Sequence, residues 1–127
     1  LQAPVLQVQS VTEPATTVGY GATHRMDPPA RLATVGVGYA DGIPRALGNC
    51  GEAYLGGVRV PIVGQISMDL LTLDVSAVAD QHVYPGASVE LIGKNILLDE
   101  AARTAGTIGY ELLTSFGARW ERRYVRD

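Results

Sequence analysis

Residues 52–63 constrain the fold more tightly than any other stretch of this chain. Glu52-Ala53-Tyr54-Leu55 and the run from Val58 to Val63 mix apolar and polar side chains on either side of Gly56-Gly57. A glycine pair between two such runs signals a tight β-hairpin, because both central positions of the turn need backbone angles that side chains with a Cβ disfavour. Comparable runs recur at residues 5–11, 31–39, 68–75 and 87–93, and residues 119–125 alternate enough for a final strand. Helix is expected only late. Residues 99–105 open with Asp99 and Glu100 and stop at Gly106, and residues 110–116 read as a second short helix closed by Gly117, with a strand as the alternative there. Short strands with frequent turn signals point to a barrel or a sandwich. The expectation carried forward is a mainly β fold, a compact Greek-key-like barrel with one or two short helices near the C-terminus.

At 127 residues and 46% apolar content, the chain is one domain by size and has enough material for a hydrophobic core. A formal net charge of −3 carries no basic footprint, which argues against nucleic acid as a partner. The sequence holds no apolar run near the ~20 residues of a membrane span and no basic leader followed by an apolar block. A single cysteine, Cys50, excludes an internal disulfide framework and fits a reducing compartment. A soluble, cytoplasmic domain is expected, and a start at Leu1 suggests a piece excised from something longer.

Most familiar chemistries are missing. His24 and His82 are far apart and Cys50 stands alone, so no metal-ligand spacing is present and no metal is expected. There is no G-x-S-x-G elbow and no phosphate loop of the G-x-x-x-x-G-K-[ST] kind. Lys94 is the only lysine, in a Gly-Lys-Asn turn expected to be solvated; a lysine that holds a carbonyl cofactor needs a shielded pocket. What does stand out is a pair of glycine-flanked tyrosines, Tyr20 in VGYGAT and Tyr39 in VGYADG. Such tyrosines either pack into tight corners or are presented to something. A phenol has an ordinary pKa near ~10, and becomes a useful base only where its surroundings bring it lower.

VGYGAT, VGVGYADGIPRAL, VPIVGQISMDLLTLDV and TAGTIGYELL occur in that order, and together they resemble the C-terminal β-domain of alanine racemase across essentially all of residues 1–127. The resemblance implies a homodimer in which each chain carries an N-terminal barrel with pyridoxal phosphate on a lysine, and a β-domain that closes over the partner subunit's barrel. It implies interconversion of L- and D-alanine, with D-alanine supplied to the bacterial cell wall. It also implies that the isolated domain is inactive and binds no cofactor by itself. By the same resemblance Tyr20 is the base that removes the α-proton of the L-enantiomer, while the barrel lysine serves the D-enantiomer. Tyr39 lines the inner end of the substrate channel and Arg45 stands farther out in it. The backbone amide of Met68 meets the substrate carboxylate, Asp69 contributes to the same wall, and the Tyr110 hydroxyl helps hold the cofactor phosphate in cis. Each has a plainer alternative: Arg45 as a surface arginine, Met68 as a core filler, Tyr110 as a core aromatic. Asp41, in the Asp41-Gly42 turn signal, reads as structural.

The chain departs from the family pattern in places. Where many members have V-G-R-x-x-M-D, it has Gln65 in place of the arginine and Ser67 where a cysteine is common. The stretch from Thr12 to Thr17 lacks the glycine that usually precedes the first motif. A racemase of broader scope, one preferring serine, or a binding or dimerisation module that keeps the fold without racemising are therefore the competing expectations. The surface that bears Tyr20 and Met68 is expected to be partly apolar and to favour self-association.

Overall fold

The computed structural model describes residues 1–11, 16–18, 24–26 and 29–123. Six strands close into an antiparallel barrel: β1 (Gln2–Val11), β4 (Ala30–Val35), β5 (Glu52–Leu55), β6 (Val58–Val63), β7 (Leu71–Asp74) and β8 (Ser88–Glu90), in the order β1-β4-β7-β6-β5-β8 with β8 returning to β1. Two short strands, β2 (Thr16–Val18) and β3 (His24–Met26), pair separately and antiparallel, with Val18 opposite His24. Tyr20, Gly19 and Gly21 lie outside the described residues. Two short helices, α1 (Leu98–Thr104) and α2 (Gly109–Ser115), follow the last strand.

The glycine pair performs as its chemistry requires. Gly56 and Gly57 have φ of 59° and 82°, Leu55 sits opposite Val58, and the hairpin register runs on to Glu52 opposite Pro61. Pro61 lacks a backbone donor, and the pairing of β6 with β7 uses Ile62 and Val63 instead. Alternation in β7 sends Leu71 and Leu73 inward while Thr72 and Asp74 are only half-buried. They join Val5, Val35, Val60, Ile62 and Val89 in one apolar core inside the barrel. A second cluster, Ile96, Ala101, Ala102 and Leu112, seats the two helices on one flank. Arg59 of β6 forms two parallel hydrogen bonds with the Glu100 carboxylate of α1, both 2.8 Å, tying barrel to helix. That contact holds the Glu100 carboxyl below its ordinary value.

Several strand boundaries differ from the sequence expectation. The run 31–39 stops at Val35, where Val37 N–H donates back to the Val35 carbonyl at 2.9 Å in a three-residue turn. The run 68–75 begins only at Leu71, and 87–93 is strand only over Ser88–Glu90. Residues 119–123 form turns and irregular chain instead of a strand, because Arg119 and Trp120 bond to Asp41 through their side chains. Gly106, at φ 78°, follows the end of α1 as expected, whereas α2 ends at Ser115 and is capped by Phe116, one residue before the anticipated Gly117.

Candidate functional site

The second glycine-flanked tyrosine is at a turn, not at a strand end. Tyr39–Asp41 form one turn of 3-10 helix, closed by Gly42 at φ 96°. Asp41 is one residue from the glycine that ends the turn and reaches back to its start: its Oδ2 accepts the Gly38 N–H at 3.0 Å. Burial makes that bond matter, since Asp41 is the buried charged residue of the described chain. Gly38 has a further reason to lack a side chain. A Cβ there would stand 2.3 Å from the Ser67 carbonyl oxygen and 2.5 Å from the Met68 carbonyl carbon, so main chain meets main chain.

Across that contact, Tyr39 N–H donates to the Ser67 carbonyl and Ala40 N–H to the Met68 carbonyl, each at 3.0 Å. The GYAD turn and the loop before β7 are thus stitched together. Ser67 shapes the second loop: its N–H donates to the Leu70 carbonyl at 3.0 Å and its hydroxyl accepts the Leu70 N–H at 3.1 Å, leaving Met68 and Asp69 at the corner. Met68 is 53% exposed and Tyr39 42%, with Leu70 beside them also exposed. Met68 therefore does not fill the core. Its N–H, at the corner of the turn, donates no hydrogen bond among the described residues. The Arg45 guanidinium carbon lies 5.7 Å from the centre of the Tyr39 ring, within cation–π range, so this arginine has a defined neighbour. Arg119 completes the cluster, with Nε 3.1 Å from Asp41 Oδ1 and Nη2 3.1 Å from Asp69 Oδ1.

Tyr39, Arg45, Met68 and Asp69 are accordingly gathered on one face. Tyr110 stands elsewhere, in the first turn of α2 beside Leu98, Asp99, Ile108 and Leu113, and is 82% exposed. It is not a core aromatic. The opposite end of the same helix is the one that meets the GYAD turn, through the Ser115 hydroxyl donating to the Gly42 carbonyl at 2.9 Å.

The family described as "Alanine racemase, C-terminal domain" matches residues 1–124. The chain belongs to that family. An alanine racemase of Rhodospirillum rubrum is 50% identical over 124 residues, covering 98% of this chain and 33% of the relative. The structure of alanine racemase from Bartonella henselae, with covalently bound pyridoxal phosphate, superposes with a TM-score of 0.91 at 40% identity, over 98% of this chain and 34% of that one. The biosynthetic alanine racemase of Pseudomonas aeruginosa gives 0.89 at 41% identity, with the same coverage of 98% and 34%. The chain spans about a third of the length of the relatives it matches.

As a member of the alanine racemase C-terminal family, the chain does not fit the covalent part of cofactor binding. Its only lysine, Lys94, is exposed in the turn between β8 and α1. That turn belongs to the scaffold, with the Glu90 carboxylate accepting the N–H groups of Asn95 and Ile96 at 2.7 and 2.8 Å. The exposed phenol of Tyr110 is able to donate a hydrogen bond to an anionic oxygen. Sequence reasoning missed Arg119 and Trp120. Asp41 was legible as a turn residue, but nothing near positions 119 and 120 announces that their partner is an aspartate far back in the chain.

Proposed function

We propose that this chain is the C-terminal domain of a pyridoxal-phosphate-dependent racemase of L- and D-alanine, and that it completes the active site of a partner subunit. The observation that carries the reading, given the family, is the face formed by Tyr39, Arg45 and the Met68 corner. There a rigid main-chain N–H, an exposed phenol and a guanidinium lie together on stitched loops. Such a donor is oriented before a ligand arrives and suits a carboxylate.

In this reading Tyr20 works at its phenolic oxygen, taking the α-proton from one face of the L-enantiomer and returning it in the reverse direction. Pyridoxal phosphate supplies the electron sink that allows a proton to leave the α-carbon. A lysine of an N-terminal barrel domain handles the opposite face, which two-sided proton exchange requires. Met68 binds the substrate carboxylate through its amide and Asp69 walls the same pocket. Tyr39 lines the inner channel, and Arg45 both steadies its ring and presents positive charge farther out. Tyr110, on its own surface, holds the cofactor phosphate of its own subunit. The domain alone is chemically silent. It works in the cytoplasm of a bacterium, as part of a homodimer that feeds D-alanine to the cell wall. Gln65 in place of an arginine favours a second reading, a racemase of wider amino-acid scope.

Tyr20→Phe in the full-length protein is the test. L-to-D turnover should fall by at least about a hundredfold, the usual contribution of a positioned general base, with the fold unchanged by circular dichroism. Full activity removes Tyr20 from the chemistry, and no activity in the unmodified full-length protein favours a binding module.

A further inference from the structure

We propose that Arg119 is a positioning residue that sets the Met68 amide through the ion bridge Asp41–Arg119–Asp69. The proposal rests on the carboxylate-binding role given to Met68 above. Arg119 reaches both loops of the site face at once, Nε to Asp41 Oδ1 and Nη2 to Asp69 Oδ1, each at 3.1 Å. The two carboxylates belong to different loops, and Asp69 is the residue directly after Met68. Asp41 is the fixed end of the bridge. Its other oxygen holds the Gly38 N–H at 3.0 Å and its carbonyl accepts Trp120 Nε1–H at 2.7 Å. Asp69 is the free end, with more than half of its side chain exposed.

The segment that presents Arg119 is itself anchored. Trp120 packs edge-on against Phe116 with ring centres 6.1 Å apart, and Phe116 packs against the barrel core. Arg119 is therefore held from behind while its fork spans the loops. Without it, two carboxylates that had shared one guanidinium repel each other, and the exposed corner at 68–69 is the part free to move. A lysine offers one point of charge and cannot bond both at fork geometry.

Kinetics of the full-length enzyme and backbone hydrogen exchange together test the idea. In Arg119→Gln, KM for alanine should rise about tenfold with kcat within about twofold, because an amide that binds ground and transition states alike governs KM. The amides of Tyr39 and Ala40, bonded across to Ser67 and Met68, should lose protection by about fivefold or more. Arg119→Lys should fall between wild type and Arg119→Gln. Adding Asp69→Asn to Arg119→Gln should recover part of the lost affinity by removing the repulsion. Unchanged KM, unchanged amide protection, or an equal fall in kcat and kcat/KM with a lower Tm overturns the proposal. No racemase activity in the unmodified full-length protein instead defeats the racemase reading and leaves the exchange result to decide the role of Arg119.

Discussion

The turns at Glu90 and at Asp41 are each organised by a carboxylate that accepts backbone N–H, and they are built on opposite plans. Glu90 gathers Asn95 and Ile96 a few residues ahead, with bonds of 2.7 and 2.8 Å, and its second oxygen accepts the Asn95 side-chain amide at 3.2 Å. Partial burial works against its charge, but the N–H groups of Ile96 and Asn95 outweigh that cost and hold the carboxyl below its ordinary value. The donors that its carboxylate gathers all lie within seven residues of sequence, although Arg59 Nη2 also donates to the Asn95 carbonyl at 2.8 Å. Asp41 closes its own turn through Gly38, yet its remaining contacts come from Arg119 and Trp120, with Trp120 separated from it by 79 positions. The first turn serves as scaffold, with its carboxylate satisfied by its own segment. The other turn is a junction, set only when the end of the domain folds back on it. The residues of chemical interest gather at the junction.

The contrast can be broken or sharpened by substitution, and the largest effect is expected at Gly38. Gly38→Ala places a methyl carbon against the Ser67 and Met68 backbone and forces the stitched loops apart. Overpacking of this kind costs about 2–3 kcal/mol, read from the urea midpoint, and turnover by the full-length enzyme should fall by at least about tenfold. A variant of normal activity would mean that loop spacing does not matter to the site.

Glu90→Gln should cost less, about 1–2 kcal/mol, because it weakens an acceptor shared by two backbone donors. Activity at saturating substrate should hardly change. Its pH dependence is the sharper test. A carboxyl held below its ordinary value in the folded chain contributes stability above the unfolded value of about 4.5, and that contribution is lost as pH falls through the folded value. The stability gap between wild type and Glu90→Gln should therefore close as pH is lowered beneath about 4.5. A gap that widens on acidification contradicts the assignment. Smallest of all is Gln65→Arg, which restores a charge near the junction without touching its stitching. A shift of roughly two- to fivefold in KM is expected, the scale of a single exposed charge contact. Unchanged kinetics for every amino acid tried would remove position 65 from substrate selection.

What the sequence revealed follows the same division. The hairpin at Gly56-Gly57, the inward alternation of Leu71 and Leu73, and the stop of α1 before Gly106 all depend on signals within a few residues, and all are present in the fold. Errors arose where distant contacts decide. The strand expected through residue 39 ends at Val35 because the chain turns to bury Val37 and deliver Tyr39 to the Met68 loop. The strand expected over 119–125 gives way, in its described part, to side chains bonded to Asp41. Tyr39, Arg45, Met68 and Asp69 were each legible as motif members, but their meeting on one face is a product of the barrel's strand order. Arg119 had no local signal at all.

A missing methyl group at position 38 acts as a gauge. With peptide units in direct abutment, the gap between the two segments is set by atomic radii and does not vary with whichever side chains decorate them. Diversification at 65 can therefore retune polarity and affinity while the spacing stays fixed, so new preferences can be tried without dismantling the frame that any of them needs.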